Sequence, residues 1–174
     1  MANSNTPFGF RPATSNVGGE IRTSSHILKT GSTAYKGDLL SVDATGTVTP
    51  STANDGSKII GVAAEYVSDS GSAGGKTILV YDDPRQEFVV QVDATGTAIV
   101  AADMYSVANH VAGAGNATNK LSGHQWNQAS IAGAANKDLK FIRIIDTPDN
   151  VYGAYAKIVV VLNNHFYANG SNGI

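Results

Sequence analysis

Short apolar runs separated by turn residues dominate the chain after its first 24 residues. Most of these runs have the length of a β-strand and are rich in Ile, Val, Leu, Phe and Tyr. Pairs such as Thr-Gly, Asp-Gly, Asp-Pro and Thr-Pro, which favour turns, lie between them. The pattern predicts a mainly β protein, with strands at residues 25–29, 38–42, 58–67, 76–81, 86–92, 139–145 and 155–162.

One short motif, Val-Asp-Ala-Thr-Gly-Thr, occurs twice, at residues 42–47 and again at 92–97. Each copy follows an apolar stretch and contains a glycine suited to a positive φ angle. We therefore expect two hairpin-like turns that are formed by the same side-chain chemistry.

Two segments lack the strand pattern. Residues 1–24 show neither helical nor strand periodicity, which predicts an extended N-terminal arm ahead of a β domain at 25–174. Within that domain, an Ala-, Gly- and Asn-rich stretch at about 107–137 predicts an irregular excursion, with Trp126 as its one large anchor.

The arm carries two aromatic residues and an arginine between two prolines. Aromatic residues and arginine are enriched at the energetic centres of protein interfaces. We therefore expect the arm to contact a neighbouring protein, and to be removable without unfolding the β domain. The alternative is that its two phenylalanines fold back onto the chain's own core. The predicted contact residues are Pro7, Phe8, Phe10, Arg11 and Pro12.

Composition and charge exclude several kinds of binding partner and chemistry for this protein. The formal net charge is −2 and only 15% of residues are charged, below the usual share of about 25%. Such a chain lacks the basic footprint of a nucleic-acid binder, and its apolar runs are too short to span a membrane. Its first residues do not form a secretory signal, so synthesis in a cytoplasm is expected. With no cysteine, disulfides and thiol chemistry are excluded.

Several weak chemical signals have simpler explanations. His26, His110, His124 and His165 are not spaced as metal ligands. The glycine-rich residues 71–77 resemble a phosphate-binding loop, but they lack its first glycine and precede a predicted strand instead of a helix. Residues 82–84 and 146–150 contain Asp close to Pro, and such segments are more typical of turns than of cation-binding sites. We therefore predict a protein without catalytic residues, metal or cofactor.

Several segments taken together resemble the capsid cement, or head decoration, proteins of tailed bacteriophages. The resemblance extends over nearly the whole chain. The segments are residues 5–12, 35–38, 60–64, 80–84 with Phe88 and Gln91, 146–150 and 161–165.

The resemblance implies a small β-barrel or β-tulip-like domain that sits on the outer surface of the mature phage head. There it would bridge major capsid protein subunits and stabilise the shell against the pressure of the packed genome. It also implies a homo-oligomer, with a trimer favoured over a dimer, that is made in the bacterial cytoplasm. Contacts to another copy or neighbour are expected at Trp126, His165, Phe166 and Tyr167.

Other functions stay open at this point. The chain could be a receptor- or glycan-binding module of the virion, with Tyr105 and Trp126 stacking on sugars, or another tail or neck component. A metal-dependent hydrolase assembled from distant Asp and His residues is a third alternative.

Overall fold

A computed structural model of the chain describes residues 3–15, 18–52, 59–71, 74–133 and 136–168. Strands make up 39% of the structure and helix 4%, which confirms a mainly β protein. Short 3₁₀ turns lie at Ala101–Asp103 and Gln128–Ser130. The helices in the described ranges are all too short and polar to cross a membrane. The strands are β1 (Arg11–Ser15), β2 (Ser24–Leu28), β3 (Thr33–Ala34), β4 (Leu39–Val42), β5 (Val48–Pro50), β6 (Ile59–Ala63), β7 (Val67–Ser68), β8 (Lys76–Tyr81), β9 (Gln86–Gln91), β10 (Val107–Ala108), β11 (His110–Val111), β12 (Gln125–Trp126), β13 (Leu139–Ile144) and β14 (Lys157–Leu162).

Most of the predicted strands are confirmed. Six of the seven apolar runs correspond to β2, β4, β8, β9, β13 and β14. The seventh run, at 58–67, is divided into β6 and β7 by a bend, and Lys58 lies outside the described residues. The strands that the pattern did not predict are mostly two or three residues long, because their pairing depends on neighbouring strands and not on a local apolar run.

Five strands close into a barrel in the order β2-β5-β4-β6-β8, which confirms the predicted small barrel domain. Neighbours pair antiparallel except β2 and β5, which pair in parallel at Leu28 and Val48. The first Val-Asp-Ala-Thr-Gly-Thr copy forms the hairpin turn between β4 and β5, with Gly46 at φ +77°. The Asp43 carboxylate accepts the Thr45 amide at 2.8 Å and thereby holds this turn.

The second copy of the motif is not a hairpin, so this part of the prediction is wrong. The carboxylate of Asp93 again accepts a hydrogen bond from the Thr95 amide, but it also accepts one from the Gln128 amide at 2.9 Å. The Asp93 amide donates to the Trp126 carbonyl. Gly96 does not adopt a positive φ. The segment therefore packs against the chain around β12 instead of folding back on β9.

A second sheet has the antiparallel order β1-β9-β14-β13-β10. Its edge strand β1 lies within residues 1–24, which were predicted to be an extended arm without strand periodicity, and it pairs with β9 with Arg11 opposite Val89. The expectation that the arm has no strand is therefore wrong. The sequence Arg-Pro-Ala-Thr-Ser has no apolar period, so the strand is stabilised by its partner β9.

Two hydrophobic cores share strands β4 and β6. Because successive side chains in a strand point to opposite faces, Leu40 and Ile60 lie in the barrel core. Leu39 and Ile59 lie in the second core, together with the inner face of the five-stranded sheet. Burial on both faces explains why these strands are mostly apolar without alternation. It also joins the barrel and the sheet into one packed body.

The predicted excursion at 107–137 contains more strand than expected, although most of its described residues are irregular. It includes β10 and a small β11–β12 pair, in which His110 lies opposite Trp126. Residues 134–135 lie outside the described part. Trp126 is fully buried with its ring 6.1 Å from that of Phe141, which confirms its place as an anchor of this segment.

Candidate functional site

The N-terminal segment, defined here as residues 3–15, is fixed to the body of the protein. The Asn3 side chain donates to the carbonyls of Val151 and Ala154, at 2.9 Å each. The buried Gln91 side chain accepts the Thr6 amide at 3.0 Å and donates to the Ser4 carbonyl at 2.8 Å. These bonds run along the segment, so its path is determined by the chain's own residues.

The two aromatic residues of this segment are buried within the chain. Phe10 is 2% exposed and belongs to the core between barrel and sheet, and Phe8 is 9% exposed. The expectation that they are free anchors for a neighbouring protein is therefore wrong, and the alternative that they fold back onto the chain's own core is the one observed. Burial of a phenylalanine within the chain removes more apolar surface from water than a free arm could.

Gly9 lets both phenylalanines turn inwards. It adopts φ +71°, and a Cβ atom at this position would lie 2.4 Å from the Cβ of Ser122. A side chain would therefore clash as well as strain the backbone. The Phe10 amide donates to the Gly37 carbonyl at 2.9 Å, which ties the segment to the chain just before the barrel strand β4.

Beyond Phe10 the segment comes to the surface and lines two adjoining grooves. The grooves have volumes of about 380 and 610 Å³ and share the lining residues Phe8, Arg11, Pro12 and Leu121. The guanidinium carbon of Arg11 lies 4.3 Å from the centre of the Phe8 ring, as in a cation–π contact. We call the two volumes together the basic groove.

Residues from the N-terminal segment and from six other parts of the chain complete the basic groove. The smaller volume is also lined by Phe10, Lys36, Ala63 and Tyr81. The larger volume is also lined by Thr6, Pro7, Val89, Asn119 and Lys157. The excursion supplies Asn119 and Leu121, which are brought to β1 because the Lys36 amide donates to the Lys120 carbonyl.

The charged residues that line the basic groove are all cationic. They are Arg11, Lys36 and Lys157, in a protein whose net charge is −2. Within the described residues, Arg11 and Lys36 form no salt bridge. Lys157 lies 3.6 Å from Asp149, but both side chains are partly exposed and such a pair is weak. The groove therefore combines an apolar surface with positive charge that is available to a partner.

Pro7, Arg11 and Pro12 are thus exposed or partly exposed where sequence reasoning expected contacts. Sequence reasoning missed Lys36, Leu121 and the other groove residues outside the arm. Lys36 belongs to one of the motifs that carry the family resemblance, so a signal existed there. Leu121 gave none, because a single leucine in a polar loop is an ordinary observation.

The four residues predicted to contact another copy differ in how much of their surface is exposed. Trp126 and His165 are 0% and 1% exposed, so the expectation of a surface contact is wrong for both. Their rings fill space inside the protein. Phe166 is partly buried against the barrel core, whereas Tyr167 is 51% exposed. Of the four, Tyr167 has the most surface available to a neighbour.

A buried polar network joins the barrel, the excursion and the sheet. The His110 Nδ1 atom lies 2.7 Å from the Asp138 carboxylate, and its ring stacks on His124 with centres 5.2 Å apart. The His124 Nδ1 atom accepts the Leu39 amide at 3.3 Å. The neutral ring therefore carries its proton on Nε2, which faces the Asp38 carboxylate 3.5 Å away.

Burial controls the protonation of this network. Loss of hydration, followed by the charge of His110, lowers the pKa of His124 to about 3. Burial raises the pKa of Asp38 above its ordinary value, because a charge on either group is poorly solvated. The network links three parts of the fold and lies away from the surface, which is a structural role.

A second polar cluster surrounds Asp82 at one end of the barrel. Its carboxylate accepts hydrogen bonds from Arg22 at 3.0 Å and from Ser24 at 3.1 Å. Burial lowers the pKa of the nearby His165 to about 4. Across the residues that the structure describes, no three His, Asp or Glu side chains converge as metal ligands.

The other weak motifs form the turns that their sequences favour. Asp83 accepts the Arg85 amide in the turn between β8 and β9, and the Asn150 amide donates to the Thr147 carbonyl. Strand β8 begins at Lys76, directly after the glycine-rich residues, so the helix that phosphate binding needs is replaced by a strand. Residues 72–73 of that segment lie outside the described part.

Comparison of the chain with models of known protein families, with curated proteins and with solved structures found no match.

Proposed function

We propose that this protein is a non-catalytic structural component of a phage virion, a cement protein that binds the outer surface of the mature head and bridges major capsid protein subunits. The observation that carries the proposal is the basic groove, an open surface lined by aromatic, aliphatic and cationic side chains. Such a lining suits protein–protein contact and supplies no acid–base pair or nucleophile. The sequence resemblance supports the same function.

The fold suits a protein that must hold two neighbours together. The groove residues Arg11 and Pro12 begin an edge strand, which is paired along one side with β9 and preceded by the buried Phe10. A contact surface held this rigidly loses little conformational entropy on binding. Burial of a few hundred Å² of apolar surface per copy contributes several kcal/mol at about 25 cal/mol per Å², before the cost of association. Attachment of one copy to two subunits multiplies that effect.

Self-association is part of the proposal, with a trimer favoured over a dimer. Tyr167 is the residue best exposed for such a contact among those named from the sequence. The alternative of a glycan-binding surface is disfavoured, because Trp126, which was expected to stack on sugars, lies in the core with 0% exposure.

A binding experiment with phage heads tests the function. Purified protein is mixed with empty shells in the expanded and the unexpanded form, and bound protein is separated by sedimentation and imaged on the shell by electron microscopy. We expect saturable binding to the exterior of expanded shells, and a higher rupture temperature for decorated shells. A protein of similar size and charge is the control. Binding to neither form of shell would refute the function.

A further inference from the structure

We propose that the basic groove binds an extended, acidic segment of its partner protein, in which carboxylate side chains are interspersed with apolar ones. The inference rests on the proposed function, because the segment would belong to the major capsid protein. It goes beyond that function by stating the chemistry of the partner and the residues that select it.

The position of the Arg11 side chain suits it to bind a carboxylate. Its guanidinium carbon lies 4.3 Å from the centre of the Phe8 ring, and this cation–π contact restricts where the group can move. A guanidinium held in this way can donate two parallel hydrogen bonds to one carboxylate. Within the described residues Arg11 has no acidic partner of its own.

The remaining lining residues define the rest of the ligand. Lys36 lies in the smaller volume and Lys157 in the larger one, with Arg11 lining both. A bound segment therefore meets positive charge at three places along the groove. Pro12 and Leu121 also line both volumes and offer an apolar surface to the side chains between the carboxylates. A purely charged ligand would leave this surface exposed to water.

The same observations favour a protein segment over a nucleic acid. Proteins that bind nucleic acid strongly often neutralise six to ten phosphates, whereas three cations line this groove. Prolines and aliphatic side chains match the side chains of an extended peptide better than they match a phosphate backbone.

A fluorescent reporter beside the groove measures binding directly. The chain has no cysteine, so Thr118→Cys introduces a single site for an environment-sensitive dye at an exposed position next to the groove residue Asn119. The probes are a 12-residue synthetic peptide of Glu, Val, Pro and Thr, the same peptide with Lys in place of Glu, and a 12-nucleotide oligothymidine. We expect the Glu peptide to bind most tightly, and its binding to weaken as salt is raised from 50 to 500 mM. Equal binding of the Lys peptide, or tighter binding of the oligonucleotide, would overturn the inference.

Charge-reversal variants locate the binding. Arg11→Glu and Lys36→Glu should each weaken binding of the Glu peptide by about tenfold, since each replaces an attraction by a repulsion. Arg11→Lys, which keeps the charge but loses the forked geometry, should have a smaller effect. Lys76→Glu is the matched control, because Lys76 is exposed at the opposite end of β8 from the groove residue Tyr81. Unchanged binding by both reversal variants, with melting temperatures equal to that of the wild type, would refute the groove as the site.

The same variants on phage shells separate this inference from the proposed function. If wild-type protein and both reversal variants decorate expanded shells equally, the cement function stands and the acidic-segment inference is wrong. If the Glu peptide binds in the groove but no shell is decorated, the inference about ligand chemistry stands and the cement function is wrong. If Arg11→Glu loses both the peptide and the shell, both are supported.

Discussion

Replacement of Phe10 by alanine tests whether the N-terminal segment is part of the folded core. Phe10 is 2% exposed and lies in the core formed between the barrel and the five-stranded sheet. Its backbone amide is bonded to Gly37, so the surrounding chain is held in place when the ring is removed. The site can therefore collapse only partly around the lost ring, and a cavity remains.

The expected loss of stability follows from this burial. Truncation of a buried phenylalanine to alanine costs about 3–5 kcal/mol, against a usual total of about 5–15 kcal/mol for a domain. For a domain of this size each kcal/mol lowers the melting temperature by about 2–4 °C, which gives a decrease of roughly 6–20 °C. A free arm would instead allow the substitution with almost no change.

Urea unfolding followed by tryptophan fluorescence measures the effect. Trp126 is the single tryptophan of the chain and is fully buried in the same core as Phe10, so its emission reports loss of that core. Tyr105→Ala is the matched control, since this aromatic side chain is 65% exposed and its removal should change the free energy of unfolding by less than about 0.5 kcal/mol. Deletion of residues 1–12 should destabilise at least as much as Phe10→Ala. If Phe10→Ala costs less than about 1 kcal/mol, the segment is a removable arm and the reasoning fails.

Two further predictions concern the buried polar groups. The pKa values of His124 and His165 are lowered to about 3 and about 4 in the folded protein, below the ordinary value of about 6.5. The unfolded chain therefore takes up these protons first, so in an Asp38→Asn background, which removes the opposite effect of the raised Asp38 pKa, urea midpoints should fall as the pH decreases from 7 to 4.5. Midpoints that stay flat or rise would contradict this. Asp138→Ala leaves the buried His110 without its carboxylate and should lower the free energy of unfolding by about 3–5 kcal/mol. Replacing both Asp138 and His110 by leucine should lower it by less. An equal or greater loss in the double variant would contradict the pairing.

Strands with a local apolar signal were predictable from the chain alone. Strand β8 begins and ends where the pattern of apolar residues placed it, and β13 and β14 differ from their predictions by one or two residues at an end. These strands are long enough to bury several Ile, Val or Phe side chains each, so the pattern carries the information. Strand β1 has no such signal, because its position depends on the edge of β9, which is more than 70 residues away in the chain.

For the same reason, only part of the basic groove could be predicted from the sequence. Arg11 and Pro12 stood out because an arginine beside aromatic residues and prolines is uncommon in a short segment. The inward turn of Phe8 and Phe10 depends on space beside Ser122, and the groove is completed by Leu121 from the excursion. Spacing along the sequence does not encode either contact.

The amino-acid sequence alone was enough to predict a strand-rich protein, the turn between β4 and β5 and the exclusion of thiol chemistry, since each depends on residues close together in the chain or on simple counts. Which apolar residues lie in the core and which lie at the surface follows from the packing of distant strands, and local sequence does not encode it. An aromatic side chain such as Phe10 is equally suited to a partner's pocket and to the chain's own core. The outcome depends on whether the folded body offers a cavity of matching shape, and here the space between barrel and sheet does so.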